Sequence, residues 1–174
     1  MIAQVARMVG LVGLGFAASM AQAQESSNQV VVEEQWSVFV EENPKECWSV
    51  SEPTKTVNTR DGQTVSVTRG DILLFVVNRP GTGGAGEVAF TGGYPFRPES
   101  TVSVAVGGET FQMFTDGEWA WAHTSEDDAK IIAAMKKGAD AVLTAESSRG
   151  TKTEDTFSLI GFTAAVEDAA ARCQ

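Results

Sequence analysis

A single histidine, a single tyrosine and only two cysteines leave this 174-residue chain short of the side chains that metal and acid–base chemistry use. Two cysteines and one histidine fall below the four ligands of a closed tetrahedral zinc site. Their positions, Cys47 and Cys173, also exclude a C-x-x-C redox pair. The chain carries no H-E-x-x-H pair, no nucleophile elbow and no glycine loop ending in Gly-Lys-Ser/Thr, so metalloprotease, α/β-hydrolase and P-loop signatures are missing. No metal or cofactor is expected. Positive charge is scarce too: 13 Lys and Arg stand against 23 Asp and Glu, a formal net charge of −10. That average field repels a polyanion, which argues against a nucleic-acid partner. Beyond the N-terminal region, no apolar run approaches the roughly 20 residues of a transmembrane helix.

The N-terminal apolar run is itself informative. Arg7 precedes Met8–Ala18, and Ala21-Gln22-Ala23 follows as an A-x-A cleavage site. The run is too short to span a bilayer, so residues 1–23 read as a cleavable signal peptide, cut after Ala23 to leave Gln24 first. No cysteine follows the cut to carry a lipid. Export as a soluble protein to an oxidising compartment outside the cytoplasm is therefore expected. In that oxidising setting Cys47 and Cys173 are expected to form a structural disulfide.

Residues 24–34 read as a flexible N-terminal arm, and residues 35–174 as a single β-sandwich domain. About eight or nine strands are expected. They begin at 35–40, where Trp36, Val38 and Val40 share one face, and continue through 64–68, 71–78 and 87–91. A meander follows over 101–106, 109–114 and 118–122, joined at Gly107-Gly108 and Asp116-Gly117, turns that favour positive φ. Segments 139–145 and 156–160 complete the set. Two short helices are expected at about 126–137 and 163–173. Ser125 would cap the first with Asp128 as the capping-box acid, and Gly138 would stop it. The second places Cys173 on the stripe Phe162, Val166, Ala169 and Ala170, facing the core.

Candidate chemistry is thin. His123 ends a strand without a visible catalytic partner and reads as a hydrogen-bonding loop residue. Gly81–Gly86 precedes a strand and reads as a flexible loop. Ser148 and Lys152 lie on a loop where a four-residue spacing aims nothing. Acids around Asp127 and Asp155 match no calcium-loop pattern. Aromatic residues are more suggestive: Trp48, Tyr94, Phe96, Trp119 and Trp121 fall on short strands or tight loops. Trp119 and Trp121 share one face of their strand, with Ala120 and Ala122 opposite. Alternation leaves open whether the tryptophans fill the interior or form a platform for a partner. Arg149 either pairs with a ligand carboxylate or neutralises a nearby acid such as Asp155. The candidate binding surface is thus Trp119, Trp121, Tyr94 and Arg149, with no catalytic residue.

Several strings occur in a specific order: Trp36-Ser-Val-Phe-Val40, Cys47, Phe90-Thr-Gly-Gly-Tyr-Pro-Phe96, Gly117-Glu-Trp-Ala-Trp121, Ala134-Met-Lys-Lys-Gly138, Ser147-Ser-Arg-Gly-Thr151, and Thr156-Phe-Ser-Leu-Ile-Gly-Phe162 leading to Cys173. In these the chain resembles the invasion-associated locus B family of exported alphaproteobacterial proteins. The resemblance implies a compact, immunoglobulin-like β-sandwich in the periplasm or at the outer envelope. It carries Cys47 and Cys173 over as a disulfide and implies no enzymatic activity. The family name comes from pathogens in which a member assists entry into host red cells.

The first functional expectation is therefore a monomeric, non-enzymatic exported protein that binds a protein partner or a host or envelope component. A periplasmic structural or chaperone-like module is the alternative, and a hydrolase using Ser148 or His123 ranks third. Intact-mass measurement of the exported protein is expected to show Gln24 as the first residue; retention of residues 8–18 contradicts the signal peptide.

Overall fold

The computed structural model describes residues 28–174; the expected signal at 1–23 and the start of the arm, to residue 27, lie outside the described residues. In chain order the elements are β1 (Gln29–Glu33), β2 (Trp36–Glu42), β3 (Lys45–Ser51), β4 (Lys55–Arg60), β5 (Gln63–Thr64), β6 (Leu73–Arg79), β7 (Gly84–Thr91), β8 (Thr101–Val106), β9 (Glu109–Asp116), β10 (Trp119–Ala122), α1 (Ser125–Met135), β11 (Asp140–Glu146), β12 (Lys152–Ser158) and α2 (Phe162–Arg172). The strands form one antiparallel sheet in the order β1-β2-β3-β6-β7-β10-β9-β8-β11-β12-β4-β5. The sheet curls over itself. Phe90 on β7 meets Phe157 on β12 edge-to-face at 6.1 Å, although these strands are far apart in the sheet order. The mainly β, sandwich-class expectation holds, but twelve strands replace eight or nine.

The differences have local causes. Gln29–Glu33, expected in the flexible arm, is β1: its Val-Val-Val run favours extended backbone, and it pairs with β2 through Val31↔Val38 and Val32↔Ser37. Strands β3 and β4 escaped the sequence pattern because their apolar residues do not mark the inner face. On β3 the buried positions are Cys47, Ser49 and Ser51, whereas Trp48 and Val50 lie on the other face. The expected strand at 64–68 ends its ladder at Thr64. Beyond it, Arg69 Nε and Gly70 N–H donate to the carbonyls of Gly92 and Gly93 instead of to a neighbouring strand.

The inner faces form one core. Trp36 and Val38 from β2, Leu74 and Val76 from β6, and Val88 and Phe90 from β7 belong to it. So do Val102, Val104 and Val106 from β8, Leu143 from β11 and Phe157 from β12. Helix α1 joins this cluster through Ile131, Ala134 and Met135. Its cap is Thr124, not Ser125: Thr124 Oγ1 accepts from Asp127 N–H at 3.2 Å, and its hydroxyl lies 2.8 Å from Asp127 Oδ2. That shift by one residue frees Asp128 to turn inward, where its Oδ1 accepts from the Val88 amide at 2.7 Å. One carboxylate thus ties the helix to β7.

Helix α2 packs on β1, β2, β3, β6 and β7. Phe162, Ala165, Val166 and Ala169 are its buried stripe. It starts at Gly161, whose φ of 87° is left-handed and where a Cβ would sit 2.0 Å from the Glu33 carbonyl. Only glycine fits there. The Phe162 ring meets Trp36 at 4.8 Å, and Trp36 Nε1 donates to the Ser158 carbonyl at 3.0 Å. At the far end Cys173 is disulfide-bonded to Cys47 on β3, with a Cα–Cα distance of 5.8 Å across 126 residues of sequence. Closing so long a loop contributes about 4–5 kcal/mol in the chain-entropy model. Among the described residues no helix is long and apolar enough to cross a membrane.

Burial holds the Asp128 carboxyl above the ordinary aspartate range, against the opposing pull of its Val88 hydrogen bond. A raised native pKa adds stability below the unfolded carboxylate range, and that contribution disappears as pH climbs through the native value. We expect Asp128→Asn, which keeps an acceptor but cannot ionise, to flatten this part of the stability–pH curve. Asp128→Ala strands a buried Val88 N–H and is expected to cost about 1–3 kcal/mol. Urea midpoints of both variants across acidic pH check this; equal midpoints contradict it.

Candidate functional site

On two strands, β10 and β3, small residues face inward and large ones face out. On β10, Ala120 and Ala122 are buried, while Trp119 is 39% exposed and Trp121 is half-buried. The same inversion holds on β3, where Trp48 lies outside. The outward aromatics align across neighbouring strands. Phe39 on β2 stacks on Trp48 at 5.5 Å, and Phe75 on β6 lies 5.7 Å from Trp119. Trp119 and Trp121 are 6.3 Å apart, and Phe114 on β9 extends the row at 5.6 Å from Trp121.

Between them β7 contributes Ala89, paired with Phe75 on one side and Trp121 on the other. A short side chain between large ones makes a groove of about 290 Å³, walled by Trp48, Phe75, Trp119 and Trp121 and floored by Val77 and Ala89. Arg79 closes one end, ion-paired to Glu46 on β3 at 3.3 Å and to Glu87 on β7. The result is an aromatic surface with a charged rim.

Tyr94 and Arg149 belong to a second site. They line a cleft of about 530 Å³ where the 67–69, 93–95 and 147–151 segments meet. Gly93 makes the meeting close. Its φ is 71°, and a Cβ there would stand 2.5 Å from the Gly70 carbonyl. Arg69, whose side chain is 6% exposed, holds the cleft's base, its Nη1 and Nη2 reaching the two oxygens of fully buried Asp155 at 2.8 and 2.6 Å. Burial pushes the Asp155 carboxyl upward while the Arg69 fork pulls it back. The Arg69 guanidinium also lies 5.0 Å from the Tyr94 ring centroid, a cation–π contact. Tyr94 Oη pairs with Thr153 Oγ1 at 2.5 Å. Burial, the largest influence on the phenol, pushes it up from 10.0 to about 12.

The alternative role for Arg149 is corrected here: Asp155 is neutralised by Arg69, and among the described residues Arg149 has no ion pair. Arg69 was not foreseen as a site residue. The only trace of it in the sequence is the Gly92-Gly93 pair whose carbonyls anchor it and its neighbour.

His123 is exposed and lies 5.5 Å from the Phe114 ring. It shares a depression with Ser125 and Asp128, yet among the described residues it hydrogen-bonds to neither, so its expected hydrogen-bonding role is not seen and no triad forms. Ser148 lines the arginine cleft, apart from His123. Among the described residues no three of His, Cys, Asp and Glu gather as a metal site requires.

Fold and surfaces together define a disulfide-closed antiparallel domain of the β-sandwich class, with an aromatic face on one side and an arginine cleft beside it. The chain belongs to the family described as invasion associated locus B (IalB) protein, whose model matches residues 36–170. It is similar in fold to the crystal structure of invasion associated protein B from Bartonella henselae, with a TM-score of 0.56 and 16% sequence identity. That match covers 81% of this chain and 95% of the other. No curated protein matches the chain.

Because Tyr94 is the sole tyrosine, its titration can be read without interference. A raised native pKa means stability that is whole below the unfolded value of 10.0 and is lost as pH rises towards about 12. Near-ultraviolet absorbance is expected to show tyrosinate appearing well above 10.0, together with alkaline loss of the fold. A reversible midpoint at the free-tyrosine value contradicts the buried Tyr94–Thr153 arrangement.

Proposed function

We propose that this chain is an exported, non-enzymatic binding protein that acts as a monomer in the periplasm or at the outer envelope, after removal of residues 1–23. It engages a protein partner through the outer aromatic face. The observation that carries this reading is the orientation of β10, which buries Ala120 and Ala122 and turns Trp119 and Trp121 outward. Tryptophan is among the residues that dominate binding energy when a partner desolvates them, and contiguous exposed apolar surface on a monomer usually marks an interaction site. The Glu46–Arg79–Glu87 rim adds polar positions that would set a partner's register. The disulfide supports export, since such bonds persist in oxidising compartments. Membership of a family named for invasion supports a partner on a host or envelope surface.

One observation favours the structural or chaperone-like alternative. Among the described residues β1 is paired on one side only, with Val30 and Val32 exposed, an edge on which an extended segment could add a strand.

The two readings separate in one experiment. The mature protein and its Trp119→Ser/Trp121→Ser double variant are each used to capture partners from envelope extract and from host-cell surface extract. The fold of the variant is checked by circular dichroism. Specific capture by the native protein and its loss in the folded variant is the expected result. Equal capture by both contradicts the aromatic face and points to the β1 edge; no capture from either extract contradicts both.

A further inference from the structure

The arginine cleft is a site in its own right, distinct from the aromatic face. In a chain with a net charge of −10, Arg60, Arg69 and Arg149 line one cavity, with Glu118 the sole carboxylate among its lining residues. Arg69 is neutralised by Asp155. Arg60 donates from Nη2 to Thr151 Oγ1 at 2.6 Å and, like Arg149, has no carboxylate partner among the described residues. Two guanidinium groups therefore border the cleft with their charge uncompensated except by Glu118, an excess that suits a monoanion better than a dianion.

The backbone that carries Arg149 is also held in place, while its side chain is exposed. It sits in a turn in which Ser147 N–H donates to the Thr151 carbonyl at 2.8 Å and Thr151 N–H donates to Ser147 Oγ at 3.1 Å. The Ser148 amide ties that turn to the Pro95 carbonyl at 2.9 Å. Preorganisation of this kind lowers the ordering cost of binding. The remaining walls offer the hydroxyls of Thr68 and Ser148 beside the partly exposed Tyr94 ring and Pro95. Planar guanidinium forks match a carboxylate, hydroxyl groups match a polyol, and a volume of about 530 Å³ falls in the range of small-molecule pockets.

We propose that this cleft binds a carboxylated sugar, a hexuronate unit whose carboxylate is held between Arg60 and Arg149 and whose hydroxyls meet Thr68 and Ser148. The test is a two-dimensional NMR titration of the nitrogen-labelled mature protein with D-glucuronate and D-galacturonate. D-glucose, D-galactose, acetate and inorganic phosphate serve as comparison probes at matched ionic strength. Saturable shifts confined to Arg60 and to residues 67–69, 93–95 and 147–151 are expected with at least one uronate. The neutral sugars should give none, and acetate and phosphate should bind more weakly.

Arg149→Ala, a change at an exposed turn, is expected to weaken uronate binding by at least ~10-fold while leaving the rest of the spectrum in place. Arg149→Lys should recover binding only in part, because an ammonium lacks the fork. No saturable shift with either uronate, undiminished binding by Arg149→Ala, or acetate or phosphate binding as tightly as the uronates overturns the proposal.

Discussion

The Cys47–Cys173 bond and the helix it anchors decide which side of the sheet is the inside. Cys47 is the inward residue of β3, so bonding to it requires α2 to lie against that face and no other. With α2 in place, Trp36 packs on Phe162 and its indole N–H finds the Ser158 carbonyl, so the entering and leaving ends of the chain close on each other. The opposite face of β3 and β6 is then left to Trp48 and Phe75. Helix α1 makes the same choice for β7 and β10 through Asp128 and the Ile131, Ala134 and Met135 stripe. The aromatic face is thus a consequence of where two short helices sit.

That arrangement separates two kinds of chemistry. The face is apolar with a charged rim, and its recognition would come from desolvating large rings. The cleft is polar, built where the sheet's second half meets the 67–70 crossing, and its rigidity comes from the buried Arg69–Asp155 pair. Removing one partner of such a pair leaves an isolated buried charge, which is far costlier than replacing both. The pair therefore holds the cleft's shape while leaving Arg60 and Arg149 uncompensated. An acidic protein gains in this way a local positive region against its overall field.

Much of this was legible in the sequence where side-chain chemistry and backbone geometry agree. The β8–β9–β10 meander follows its alternating valines and its glycine turns, with Gly107, Gly108 and Gly117 all at positive φ. The terminal helix and its cysteine follow the three- and four-residue spacing of Phe162, Val166 and Ala169. What stayed hidden lies where alternation is inverted. On β3 and β10 small residues are inside because helices cover them, and the apolar signal then marks the outer face. A period of two says that two faces differ, never which is buried. The Arg69–Asp155 pair was invisible for another reason: 86 positions separate the two residues, and they meet through tertiary contacts, the pairing of β4 with β12 and the Arg69–Asn58 hydrogen bond among them.

The central claim, that the helices turn the large aromatics outward, is tested most directly by hydroxyl-radical footprinting of the mature protein with residue-resolved mass spectrometry. Trp119 is predicted to oxidise rapidly and Trp36, which is fully buried, to be protected. After reduction of the disulfide, protection of Trp36 should fall as α2 loosens. Protection of Trp119 together with rapid oxidation of Trp36 in the intact, oxidised protein would contradict the account.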